Sequence, residues 1–129
     1  MRGRKPQIGT DRDALPTVPR PPSWLAKEAK AEWRRVMPLL VERRILTDAD
    51  MGCVEAYCTA IARVREAEKL IAVEGLTMGS RKHPAVALQN DAMTQARQLA
   101  AELGLTPVSR SRPAVRDTDH GDDVSDLGL

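Results

Sequence analysis

Apolar residues recur at intervals of three and four along the middle of the chain. From about Ser23 to Arg43 the positions Leu25, Ala29, Trp33, Val36 and Leu40 form one stripe, the spacing of an amphipathic helix. Ser23 stands where an N-cap is expected, although Ala26 three residues on leaves the reciprocal capping box unformed. Pro38 falls inside the pattern and is expected to kink this helix or end it early. A second stripe starts more sharply, at Thr47-Asp48-Ala49-Asp50, where Thr47 can cap and both carboxylates meet the positive end of the helix dipole. It continues through Val54, Tyr57, Ile61, Val64 and Ile71 and stops at Gly75, which predicts a helix of roughly 40 Å at 1.5 Å per residue. A third helix is predicted from Pro84, a favourable first-turn residue, with Leu88, Ala92, Ala96, Leu99 and Leu103 repeating before Gly104. Between the last two helices, residues 76–83 centre on Gly79-Ser80 and fit a short β-hairpin or an irregular loop.

The flanking segments lack this periodicity. Residues 1–22 hold five prolines (Pro6, Pro16, Pro19, Pro21 and Pro22) and few apolar side chains. They are expected to form a disordered, extended basic arm, because such a segment cannot bury enough surface to offset its ordering entropy. Residues 106–129 are similarly polar. The expected architecture is therefore all-α: a helical hairpin with one long central helix, a third helix, and disordered termini around a helical core at 23–105. Composition agrees with packed helices. Of 129 residues 17 are Ala, the aromatics are only Trp24, Trp33 and Tyr57, and Phe is absent, a poor composition for a β-sandwich or barrel.

So small a body leaves part of a 40 Å helix without partners of its own. Ala56, Ala60 and Ala67 lie beside the main stripe and permit close approach of another helix. Self-association is the inference, through Val54, Tyr57, Ala60, Ile61, Val64, Ala67 and Ile71; a monomeric three-helix bundle is the alternative.

The net charge of +2 hides a polarity. Residues 1–116 carry all 20 Lys and Arg against 13 acids, hence +7, whereas residues 117–129 carry five Asp and no base, hence −5. A basic body with an acidic tail points to a polyanionic partner, with a tail that competes for the same surface or binds something basic. Candidate phosphate contacts are the arm residues Arg2, Arg4 and Lys5, which suit a narrow A·T-rich minor groove. Lys27, Lys30 and Arg34 on the first helix, Arg81 and Lys82 in the 76–83 connection, and Arg110 and Arg112 after the last helix complete the set. Glu28 and Glu32 lie beside the helical bases and can pair with them. With no aromatic platform beside these cations, single-strand binding by base stacking is disfavoured.

Catalytic chemistry finds little support. His83 and His120 fall in a connection and in the acidic tail, no nucleophile has a recognisable base beside it, and no phosphate-cradling loop is present. Asp48 and Asp50 read as capping residues rather than metal ligands. Cys53 and Cys58 sit about 140° apart around a helix and cannot bridge without unwinding it. The chain is expected to be a non-enzymatic protein, reduced, soluble and cytoplasmic, without metal or cofactor. The tight 44–47 connection raises a helix-turn-helix, but Asp48, Asp50 and Glu55 at the start of the second helix would meet phosphates of a major groove with like charge. The pair is read as a helical hairpin for assembly.

Taken in order, these features resemble the small terminase subunits of tailed bacteriophages, in particular the family found in many cohesive-end phages. The resemblance is carried by Gly3-Arg4-Lys5-Pro6, Pro21-Pro22-x-Trp24-Leu25, Ala29-x-x-x-Trp33, Pro38-x-Leu40 and Leu46-Thr47-x-x-Asp50. It continues in Tyr57-Cys58, Glu66-Ala67, the connection from Gly75 to Pro84, and the stretch from Leu99 to Arg110. Two positions depart from the pattern: Arg44 stands where a Gly is expected to end the first helix, and Ala26 replaces a Ser/Thr-like cap. The resemblance implies a ring-forming homo-oligomer in the host bacterial cytoplasm. It would bind viral double-stranded DNA and recruit or regulate the large terminase subunit, which carries the ATPase and nuclease. The acidic tail, through Asp122, Asp123, Asp126, Leu127 and Leu129, would dock that large subunit. A small dimeric DNA-binding transcriptional regulator is the alternative, and it requires base contacts from a recognition helix.

Overall fold

The structure, a computed structural model, describes residues 13–107. Its elements are α1 (Lys27–Glu42), a 3₁₀ turn (Asp48–Asp50), α2 (Met51–Glu74), β1 (Thr77–Met78), β2 (Arg81–Lys82) and α3 (Pro84–Glu102). The mostly helical architecture is the expected one, and the 76–83 connection resolves as an antiparallel hairpin pairing Thr77 with Lys82 and Met78 with Arg81. Gly79 takes φ +64 at its first corner while Ser80 stays at negative φ, the signature of a type II′ turn.

Several boundaries differ from expectation. α1 starts at Lys27, four residues after Ser23, because the Leu25 amide donates back to the Pro22 carbonyl (3.2 Å) in a turn that sends Leu25 into the core. Ala26 occupies the N-cap and makes no side-chain capping bond. Pro38 does not end α1, which runs on to Glu42. The proline is on the exposed face, where the carbonyl that loses its amide partner can be solvated. At the start of α2, the Asp50 carboxylate accepts the Thr47 backbone amide (2.8 Å) and hydroxyl (3.2 Å). α3 closes in a Schellman motif. The Gly104 amide donates to the Ala101 carbonyl, the Leu105 amide to the Ala100 carbonyl, and Gly104 sits at φ +73.

The main core lies between α1 and the first half of α2: Leu25, Ala29, Trp33, Val36, Met37 and Leu40 meet Leu46, Val54, Tyr57, Cys58 and Ala62, with Leu103, the residue that caps α3, closing one end. α2 and α3 pack through small residues instead. Ala60 and Ala67 are buried on α2, and Ala85, Ala92 and Ala96 on α3, while Gln89 reaches across to the Val64 carbonyl (3.2 Å) and the Glu68 carboxylate (2.9 Å). The part of the Pro-rich stretch that is described, from residue 13 on, is tied to the helical body rather than a free arm. The Leu15 amide donates to the Leu46 carbonyl (2.9 Å), and the Trp33 indole N–H to the Pro19 carbonyl (2.9 Å).

Candidate nucleic-acid interface

The outer face of α1 is built by exclusion. Once Ala29, Glu32, Trp33, Val36, Met37 and Leu40 turn inward, helical geometry leaves Lys27 and Arg34 outside the buried arc, with Lys30 at its edge beside them. Lys27 and Arg34 are exposed and Lys30 half-buried. None of the three enters an ion pair among the described residues.

The neighbouring charges are engaged. Glu32 is fully buried and accepts four hydrogen bonds: two from Arg35 (2.6 and 2.9 Å), one from the Tyr57 hydroxyl (2.6 Å) and one from Arg65 (3.1 Å). Burial by itself raises the Glu32 carboxyl, but the bonds from Arg35 and Tyr57 and the two guanidinium charges hold it below the usual glutamate range. The same burial, with the Glu32 carboxylate alongside, pushes the Tyr57 phenol up. Desolvation lifts the buried Cys58 thiol to about 12, so it is inert at neutral pH. The sequence places Glu32 among the helical bases as an ordinary surface partner, and no local signal marks it as the buried hub. Spacing alone does not reveal that Tyr57 and Arg65, on another helix, converge on it.

Tertiary structure also gathers cations that are distant in sequence. Lys69 pairs with Glu28 at 2.5 Å, which sets the first turn of α1 beside the last turns of α2. α2 ends five residues later, about 7.5 Å along its axis, and the hairpin carrying Arg81 and Lys82 follows directly. Lys27, Lys30, Arg81 and Lys82 therefore occupy one end of the molecule. The hairpin is locked there by His83, which is not a free connection residue but the buried N-cap of α3. Its Nδ1 accepts the Ala85 amide (3.0 Å), and its Nε2 lies 2.7 Å from the Glu74 carboxylate. Arg2, Arg4, Lys5, Arg110, Arg112 and the tail residues Asp122, Asp123, Asp126, Leu127 and Leu129 lie outside the described residues.

The residues expected to mediate self-association are mostly occupied within one chain. Val54, Tyr57, Ala60, Ala67 and Ile71 are buried and Ile61 and Val64 half-buried. The close helical approach that Ala60 and Ala67 permit is made by α3 of the same chain, whereas Ala56 stays exposed. Exposed apolar surface lies elsewhere, at Trp24, Leu70, Val73, Leu76, Met78 and Leu88. A groove of about 540 Å³ runs between α2 and α3, with Trp24, Ala56, Arg63 and Leu99 in its lining. Among the described residues no cluster of His, Cys, Asp or Glu could hold a metal ion, and no helix is long and apolar enough to cross a membrane.

These features define a small helical body that displays cations at one end. Residues 29–120, more than half of the chain, match the family model described as phage terminase, small subunit, and the chain belongs to that family. Its role lies accordingly in phage DNA packaging, within a family whose members are typically non-catalytic subunits. No curated protein and no solved structure matches the chain.

Proposed function

We propose that this chain initiates packaging of a phage genome. Copies of it associate into a ring-like homo-oligomer, hold viral duplex DNA electrostatically, and recruit and regulate the large terminase. The observation that carries the DNA contact is the outer face of α1, where Lys27, Lys30 and Arg34 stand clear of any ion pair among the described residues. Arg2, Arg4 and Lys5 ahead of the body, and Arg110 and Arg112 behind it, extend the same charge. In a ring each modest patch is repeated, so weak contacts sum through multivalency. A second copy would use the exposed apolar residues Trp24, Leu70, Val73 and Leu88 rather than the stripe already buried within the chain. A recognition-helix regulator is the weaker reading, because Asp48 and Asp50 open α2 with negative charge.

Light scattering behind a sizing column tests assembly. One species of many subunits supports the ring, and a monomer or dimer rejects it as a property of the isolated protein. Duplex binding followed by fluorescence anisotropy across a salt series tests the DNA contact, since phosphate contacts impose a steep loss of affinity with salt. Binding that is absent, or indifferent to salt, rejects it.

A further inference from the structure

The hairpin between α2 and α3 contributes nothing to the core. All four strand residues, Thr77, Met78, Arg81 and Lys82, are exposed. Nine residues separate Glu74 from Pro84, whereas neighbouring antiparallel helices need roughly two to eight. The element is nevertheless held firmly. The His83 amide closes its base on the Leu76 carbonyl (2.7 Å), the buried His83 ring is fixed between Ala85 and Glu74, and Gly79 supplies the positive φ of the turn. A segment that buries no apolar surface but is anchored at its base and corner presents its side chains in a set direction.

Those side chains alternate. Met78 and Arg81 form one cross-strand pair and share a face of the ribbon; Thr77 and Lys82 form the next pair and share the other face. Arg81 and Lys82, adjacent in sequence, therefore project to opposite sides. Laid flat on a single phosphate backbone, the ribbon would use one cation and turn the other to water. Placed edge-on in a groove, it offers one cation to each wall. The major groove of B-DNA admits a two-stranded ribbon, and its two walls are the two phosphate strands.

We propose that the β1–β2 ribbon is a groove-entering wing: it inserts into the major groove of duplex DNA, with Arg81 on the phosphates of one strand and Lys82 on those of the other. The inference rests on the DNA-binding reading above and adds the element and its pose. Of the acids at this end, Glu28 is paired with Lys69, while Glu74 is turned onto the His83 ring at the base of the hairpin and keeps its charge there. Lys27 and Lys30, at the same end, lie where the backbone beyond the groove would pass.

The test uses the full chain, a mixed-sequence duplex and one of its single strands, with binding followed by anisotropy across a potassium chloride series. Arg81→Ala, Lys82→Ala and the double variant change exposed positions, and circular dichroism verifies that each retains its helix content. Each single variant is expected to reduce the magnitude of the duplex salt slope by about 0.9, and the double variant by about twice that. On the single strand the double variant is expected to lose no more than one contact, because only one wall is present. Unchanged slopes on duplex DNA would overturn the wing, and equal losses on duplex and single strand would overturn its placement between two strands. If the unmodified protein fails to bind duplex DNA at all, the DNA-binding reading itself falls, and the wing with it.

Discussion

A carboxylate without access to solvent loses its hydration, and Glu32 regains that interaction from donors on two helices, Arg35 on α1 with Tyr57 and Arg65 on α2. Tyr57→Phe deletes one donor to a charged acceptor while keeping the ring in the core. The expected loss is about 1.5–3 kcal/mol, read as a lower denaturant midpoint at unchanged m-value. Since the folded Glu32 value lies below the unfolded one, its stabilisation is complete above the unfolded glutamate value of about 4.3 and drains away as pH falls through the folded value. Urea melts across an acid series should show stability falling below that pH, and Glu32→Gln should flatten this fall. At the end of α1, Arg44 is the one non-glycine residue at positive φ among those described (φ 60). This is the position where the family resemblance leads one to expect Gly. A side chain there costs on the order of 1–2 kcal/mol, partly balanced by the extra freedom Gly brings to the unfolded chain. Arg44→Gly is therefore expected to raise the melting temperature by a few degrees, corresponding to a net gain of up to about 1 kcal/mol; a fall would show that the arginine side chain stabilises the link.

Two kinds of packing share α2. Against α1 it meets Trp33, Val36, Met37 and Leu40, large side chains whose burial supplies most of the apolar stabilisation. Against α3 it meets alanines, which bury little area but bring the helices close and leave no room for growth. Ala92→Leu in that seam should force the helices apart and cost about 1–3 kcal/mol, measurable by thermal melting, whereas the same change at the exposed Ala87 should be nearly silent. The alanine spacing is legible in sequence. That it is satisfied by α3 of the same chain is not, because a small-residue stripe suits an intramolecular and an intermolecular partner equally.

For the molecule as a whole, the arrangement of charge matters more than its total. Removing residues 117–129 takes away five Asp and no base, leaving +7. If the tail competes with DNA for the basic body, the truncated chain should bind duplex DNA more tightly at low ionic strength, with the difference closing as salt screens it. If it docks the large subunit, the same truncation should abolish capture of that subunit in a pull-down; unchanged capture would remove the docking role.

What the sequence by itself determined is whatever depends on near neighbours. The three helices, the Thr47 start, the Pro84 opening and the Gly104 stop follow from periodicity, capping and glycine conformation, all set within a few residues. The family was legible too, since it is carried by ordered short motifs. Only the tertiary structure decided which partners meet across long separations: the α2–α3 seam, the Glu32 cluster, the strap from Leu15 to Leu46, and the meeting of Lys27 and Lys30 with Arg81 and Lys82 at one end. Periodicity defines which face of a helix is buried but carries no information about what buries it. For that reason the self-association stripe read from the sequence proved to lie largely inside a single chain, and the cations came together only when the chain folded.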